Sequence, residues 1–233
     1  MEVPMCGRFT LFLAADDLRE ELELNSLPPD WTPRYNVAPT QPVLAVTDAT
    51  TRNAEWMRWG LVPSWAKDLS IGSRMINARA ETLAEKPSFR AAFARRRCLI
   101  PANGFYEWQK LASGKGPSQP YFITLKDGKP FCFAGLWELW RSPEGEDVRS
   151  CTIITTSPNE RVAKIHDRMP VILTGEQMWN WLTWNDAARL NSLLVPYPAD
   201  EMQAVRVGSM VSNPNVDVPG LISPIKDEFD KNP

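Results

Sequence analysis

A chain of 233 residues with 43% hydrophobic side chains can bury a sizeable core, and no linker, repeat or charge block divides it. Four cysteines without a Cys-x-x-Cys pair, and a single histidine, argue against a zinc site or a disulfide framework and for a reducing, cytoplasmic compartment. The formal charge of −2 hides a central stretch, residues 52–110, with 11 basic against 5 acidic side chains, and no segment reads as a signal peptide or a membrane span.

The chain begins with chemistry. In Met5-Cys6-Gly7-Arg8-Phe9-Thr10, a start at Met5 followed by loss of that methionine gives Cys6 a free α-amine beside its thiol. The two groups titrate near about 8 and about 8.5, so both are partly nucleophilic at neutral pH. Such a 1,2-aminothiol condenses with an aldehyde through nitrogen and closes a five-membered thiazolidine through sulfur. Met1 to Met5 would block the amine, so residues 1–5 are read as an extension absent from the active protein, 6–225 as one domain, and 226–233 as a tail.

Asp16 to Leu24 reads as a short helix with acidic residues at its N-terminal end. Val43–Thr47 and Ala54–Leu61 read as strands, and Pro87 opens an amphipathic helix running to about Arg96. Strands follow at Cys98–Ile100, Phe105–Trp108, Tyr121–Leu125, Phe131–Trp137 and Thr152–Thr155, with Asp127-Gly128 as a hairpin signal. Pro158–Ile165 and Gly175–Leu194 read as helices, Val171–Leu173 as the segment between them and Ala204–Val207 as a late strand. Leu221 to Pro233 reads as peripheral. Many short strands with few helices, 21 prolines and ten tryptophans point to an α+β fold, a mainly antiparallel sheet or open barrel with peripheral helices. Trp56, Trp137 and Trp181 are assigned to packing. Arg90 and Arg95-Arg96-Arg97 fit either a phosphate-binding face or a solvated helix face.

Polar motifs punctuate this layout: Cys6-Gly7-Arg8-Phe9, Arg34 to Thr40, Trp59 to Trp65, Ile76-Asn77-Ala78-Arg79-Ala80-Glu81-Thr82, Gly104-Phe105-Tyr106-Glu107-Trp108 and Ile165-His166-Asp167-Arg168-Met169-Pro170. In this order they closely resemble the SOS response-associated peptidase family, also called abasic-site processing proteins. The resemblance implies a covalent shield for abasic sites in single-stranded DNA, in which Cys6 traps the sugar aldehyde as a thiazolidine without metal or cofactor. It also implies self-cleavage that exposes Cys6, and is compatible with lyase activity.

Four residues carry the implied chemistry: Cys6, Asn77, Glu107 and His166. Aromatic neighbours can desolvate the Glu107 carboxyl and raise its pKa for proton shuttling. His166, the only histidine, suits protonation of the sugar ring oxygen. Asn77 offers a neutral amide to the amine or a sugar hydroxyl. Arg8, Arg79 and Arg168 each follow one of these residues by two positions, which on a strand places both on one face, with guanidinium forks suited to phosphate. Trp65 and Trp108 are candidate stacking platforms, and Pro39-Thr40 a wedge beside the lesion. Without the resemblance, Glu107 reads first as a solvent-facing strand residue and Asn77 as a turn or strand-end asparagine. Two other functions fit the same residues. One is a thiol peptidase using Cys6, His166 and Asn77, and the other a non-catalytic DNA binder using Arg79, Trp108 and Arg168. A monomer is the default.

Overall fold

Two sheets face each other, and the chain passes between them often enough to gather the distant motifs. The computed structural model describes residues 6–110 and 116–225, so the extension at 1–5 and the tail at 226–233 lie outside the described residues. The strands are β1 (Arg8–Leu11), β2 (Arg34–Val37), β3 (Pro42–Val46), β4 (Ala54–Trp59), β5 (Asn77–Arg79), β6 (Arg97–Ala102) and β7 (Gly104–Gln109). They continue with β8 (Gln119–Leu125), β9 (Phe131–Arg141), β10 (Asp147–Thr156), β11 (Met169–Pro170), β12 (Ile172–Leu173) and β13 (Met202–Arg206). Short helices α1 (Ala15–Glu21), α2 (Arg90–Arg95), α3 (Glu176–Thr183) and α4 (Ala187–Ser192) lie between them. The class is α+β.

One sheet closes on itself through the pairings β10–β4, β4–β3, β3–β6, β6–β9 and β9–β10. All are antiparallel except β10–β4, where Cys151 lies opposite Trp59. The other sheet is open and antiparallel, in the order β13-β8-β7-β1-β2. Strand β3 shows why the barrel sequences read as continuous apolar runs. Val43 and Ala45 pack with Phe9, Phe105 and Ile123 of the open sheet, whereas Leu44 and Val46 pack with Leu18 of α1 and Trp181 of α3. With a side-chain period of two, a strand covered on both faces must be apolar at every position.

Four expectations change. The Asp127-Gly128 turn forms, with Gly128 at φ 72°, but joins no hairpin. Both edges of β8 are already occupied, by β7 and β13, so β9 crosses to the barrel. The expected helix at 175–194 breaks into α3 and α4, because Asp186 accepts the Arg189 N–H and caps a new helix. The expected helix at 158–165 shrinks to a single 3₁₀ turn, Val162–Lys164, where the Asn159 side chain takes the Arg161 and Val162 N–H groups. The segment from Leu221 is not peripheral as far as it is described. Leu221 is buried with Tyr106, Trp108, Phe122, Val207 and Val211, and the Ile225 N–H donates to the Arg206 carbonyl.

Candidate active site

Register places Cys6. Strand β1 pairs with β7 through Arg8–Tyr106 and Phe9–Phe105, so the residues before β1 run toward the Glu107–Trp108 end of β7. The Cys6 backbone N–H donates to Glu107 Oε1 at 2.7 Å, and the Cys6 thiol hydrogen-bonds the same carboxyl group. Cys6 takes a left-handed conformation, φ 45°, which a non-glycine residue holds only at a cost. That turn aims nitrogen and sulfur at one carboxyl.

Glu107 is only 2% exposed. Burial raises its pKa, while nearby His166, the Cys6 hydrogen bonds and the Trp108 N–H act in the opposite direction. Burial also holds the Cys6 thiol well above its ordinary value; the Glu107 carboxylate adds to this and Arg168 offsets part of it. The two groups are coupled: a proton on Glu107 removes the repulsion that opposes the thiolate.

His166 follows the 3₁₀ turn, and Gln109 at the end of β7 donates to the Lys164 carbonyl at 2.6 Å, which ties this turn to the strand carrying Glu107. The imidazole Nδ1 accepts the Arg168 backbone N–H at 3.2 Å and lies 3.0 Å from Asp167 Oδ1. The Arg168 guanidinium forks onto Glu81, Nη1 to Oε1 at 2.5 Å and Nη2 to Oε2 at 2.8 Å, and Nη2 also donates to the Thr155 carbonyl at 2.7 Å. Thr155 lies opposite Arg79 in the parallel β5–β10 pairing, which brings Arg79, Glu81 and Arg168 to one corner, with Asn77 at the start of the same strand. Arg79 is exposed there. A cleft of about 500 Å³ lies beside the Val162–Lys164 turn, lined by Gln109, Tyr121, Glu160, Arg161, Lys164 and Asp200 among others.

Strands β4 and β5 both run parallel to β10, and residues 60–76 form an excursion between them. Its base is pinned. Gly60 N–H donates to the Cys151 carbonyl and Leu61 N–H to the Met75 carbonyl, while a Cβ on Gly60 or Gly72 would come within 2.5 Å of the other's carbonyl oxygen. Trp65 stands on this excursion, 59% exposed. Pro39 and Thr40 occupy the middle of a turn with Thr40 at φ 71°, a position that favours glycine, and the Thr40 N–H donates to the Trp59 carbonyl at 2.8 Å. The turn and the excursion therefore meet at one end of β4.

Other expected contacts are redirected. The Arg8 guanidinium donates to Asn36 Oδ1, the Val211 carbonyl and the Ser212 carbonyl, tethering the C-terminal turn rather than facing solvent. Trp108 is buried, with Nε1 on Ser212 Oγ, and offers no open face for a base. Arg168 is largely covered, its side chain 14% exposed. In the basic run, Arg97 is buried and Arg96 pairs with Glu138, so neither serves as a phosphate-binding surface. Trp181 is fully buried, and Trp56 and Trp137 pack partly buried against the core. Glu81 was passed over in the sequence, where the available signal was an acidic residue two positions after Arg79. Among the described residues, no group of three or more His, Cys, Asp or Glu is placed to hold a metal ion, and no helix is long and apolar enough to cross a membrane.

The profile described as SOS response associated peptidase (SRAP) matches residues 5–214. The chain is 50% identical over 223 residues to the abasic site processing protein YoqW of Bacillus subtilis, covering 94% of this chain and 99% of that one. It is 32% identical over 269 residues to the abasic site processing protein HMCES of Rattus norvegicus, covering 94% of this chain and 76% of that one. A crystal structure of a Bacteroides thetaiotaomicron protein superposes with a TM-score of 0.83 at 27% identity, covering 95% of this chain and all of the other. The chain belongs to the SOS response associated peptidase family.

Proposed function

We propose that this protein traps abasic sites in single-stranded DNA as a thiazolidine formed by the Cys6 amine and thiol. The observation that carries the reading is the convergence of Cys6 nitrogen and sulfur on the buried Glu107 carboxyl. Relatives named for abasic-site processing support it. As the hemiacetal opens to the C1′ aldehyde, the His166 imidazole gives a proton to the sugar ring oxygen while the C1′ hydroxyl proton passes to water and from there back to the imidazole, so the ring is unchanged at the end of the step. The Cys6 amine adds to that aldehyde, and the carboxylic acid form of Glu107, the form that burial favours, donates to the resulting hydroxyl, which leaves as water. Glu107 then takes the thiol proton as sulfur bonds to the iminium carbon, leaving a ring N–H and a reprotonated carboxyl. Ring closure is intramolecular, and effective molarity favours it by about 7 kcal/mol or more in good geometry. Arg79 and Trp65 supply exposed phosphate and base contacts, with Pro39 and Thr40 beside them, while Arg8 and Arg168 act through the protein groups they hold. The amine must be free, so Cys6 is residue one of the active form, whether by methionine removal or by the self-cleavage the family name suggests.

A denaturing gel of protein mixed with an abasic single-stranded oligonucleotide tests this. A heat-stable shifted band is expected from wild type, and none after Cys6→Ser or after chemical blocking of the amine. Mass spectrometry of the active species should read Cys6 first. A durable adduct from Cys6→Ser, or full activity in protein retaining Met1, overturns the proposal. Turnover of peptides in trans would favour a peptidase instead.

A further inference from the structure

The His166 Nδ1 has two suitors that demand opposite protonation states. The Arg168 backbone N–H, 3.2 Å away, donates into Nδ1 and leaves the ring proton on Nε2. Asp167 Oδ1, 3.0 Å away, can only accept, and draws the ring proton onto Nδ1. Glu107, on β7, acts electrostatically on the same ring from outside its loop. Which tautomer forms depends on how firmly the Arg168 backbone is held.

It is held from outside the loop. The Arg168 guanidinium is gripped by the Thr155 carbonyl on β10 and by both oxygens of Glu81, on the 3₁₀ turn Ala80–Thr82. The next residue, Met169, is fixed against Thr156 in β11. Asp167, by contrast, is 88% exposed and makes no other hydrogen bond described here, so it is the more weakly anchored competitor. A bidentate carboxylate–guanidinium fork fixes direction as well as distance.

We infer that Glu81 is a positioning residue that sets the tautomer of His166 through Arg168, keeping the ring proton on Nε2 against the pull of Asp167. The inference deepens the proposal above, where an Nε2–H imidazole is the proton donor to the sugar, and its functional meaning rests on that reading.

Because the chain has one histidine, its long-range ¹H–¹⁵N spectrum reports this ring alone. At a pH where the ring is neutral, and without DNA, wild type should show a protonated Nε2 and a bare Nδ1. Glu81→Ala should move proton occupancy toward Nδ1. Adding Asp167→Ala to Glu81→Ala should return it to Nε2, a rescue that simple structural damage would not produce. Should Glu81→Ala fail to fold, Glu81→Gln, which retains one acceptor, should show a smaller shift in the same direction. With abasic oligonucleotide at saturation, the Glu81 variant should form adduct on the order of tenfold more slowly, and the double variant should recover. A wild-type ring protonated at Nδ1, a Glu81 variant with an unchanged spectrum, or no return in the double variant overturns the inference. The spectrum needs no DNA. A protein that forms no adduct yet shows this response would refute the proposed function and leave the tautomer assignment standing.

Discussion

Cys98, Cys132 and Cys151 in the barrel are buried as deeply as Cys6 at the end of the open sheet, but the company differs. Burial alone raises the Cys132 and Cys151 thiols, and burial also leads at Cys98, with Cys151, Glu55 and Cys132 adding to it. Cys6 has a carboxyl on its sulfur and its nitrogen, with Arg168 close by. The same division separates the arginines. Arg97 directs its guanidinium N–H groups to carbonyls of Phe93, Ala94, Trp181, Leu182 and Trp184, at the ends of α2 and α3, while Arg79 stays exposed at the site. The barrel uses reactive residue types as packing and caps; the sheet end sets them against polar partners, as the proposed chemistry requires. Burial raises a thiol's pKa; at Cys6 the carboxyl beside it is also a group that can take the thiol proton.

The sharpest way to break this contrast is to exchange the cysteines. Cys6→Ser should abolish the heat-stable adduct, whereas Cys132→Ala should leave it intact and cost about 1–2 kcal/mol in denaturant melts, since only a small buried group is lost. Next in size, Glu107→Gln should slow adduct formation by about 10²–10⁴-fold on a single-turnover gel. The variant also tests the carboxyl's environment. The folded pKa lies above the unfolded value of about 4.3, so the folded state binds the extra proton in that window. Wild type should therefore lose stability relative to Glu107→Gln as pH rises from there through the folded value, and a melting-temperature gap that does not widen would contradict the assigned burial. Arg97→Met, in the barrel, should cost about 3 kcal/mol or more because several carbonyls lose their donor, with no change in adduct rate per folded molecule. Arg97→Lys should recover only part, lacking the planar fork. Trp65→Ala should weaken single-stranded DNA binding by about 1–3 kcal/mol by titration, with the melting temperature unchanged. Smallest, Thr40→Gly should raise stability by about 1 kcal/mol, by removing a left-handed non-glycine residue.

The barrel strands were legible because runs such as Phe131 to Trp137 are apolar at nearly every position, the mark of a strand covered on both faces. Burial of Glu107 was legible in the aromatics beside it. Strands β1 and β2 were not, because four-residue strands inside polar motifs carry too little alternation to distinguish from loops. Nor were the partners of the arginines. Arg168 meets Glu81 across 87 residues, and Arg8 meets Val211 across 203. Local spacing puts a guanidinium on a face, but a fold-wide contact decides whether phosphate or protein receives it. The split between α3 and α4 was missed because the hydrophobic pattern continues through Trp184 while Asp186 quietly starts a new cap.

The pinched loop between β4 and β5 has a bearing on diversification. Since its entrance and exit are bonded to each other and to β10, and Val62 and Ala66 are bonded to Ser150 and Trp140 of the wall, only the exposed tip between these anchors is free to be swapped. The segment around Trp65 is in effect an interchangeable cartridge: its tip can be altered by grafting, while Asn77 emerges at the same address.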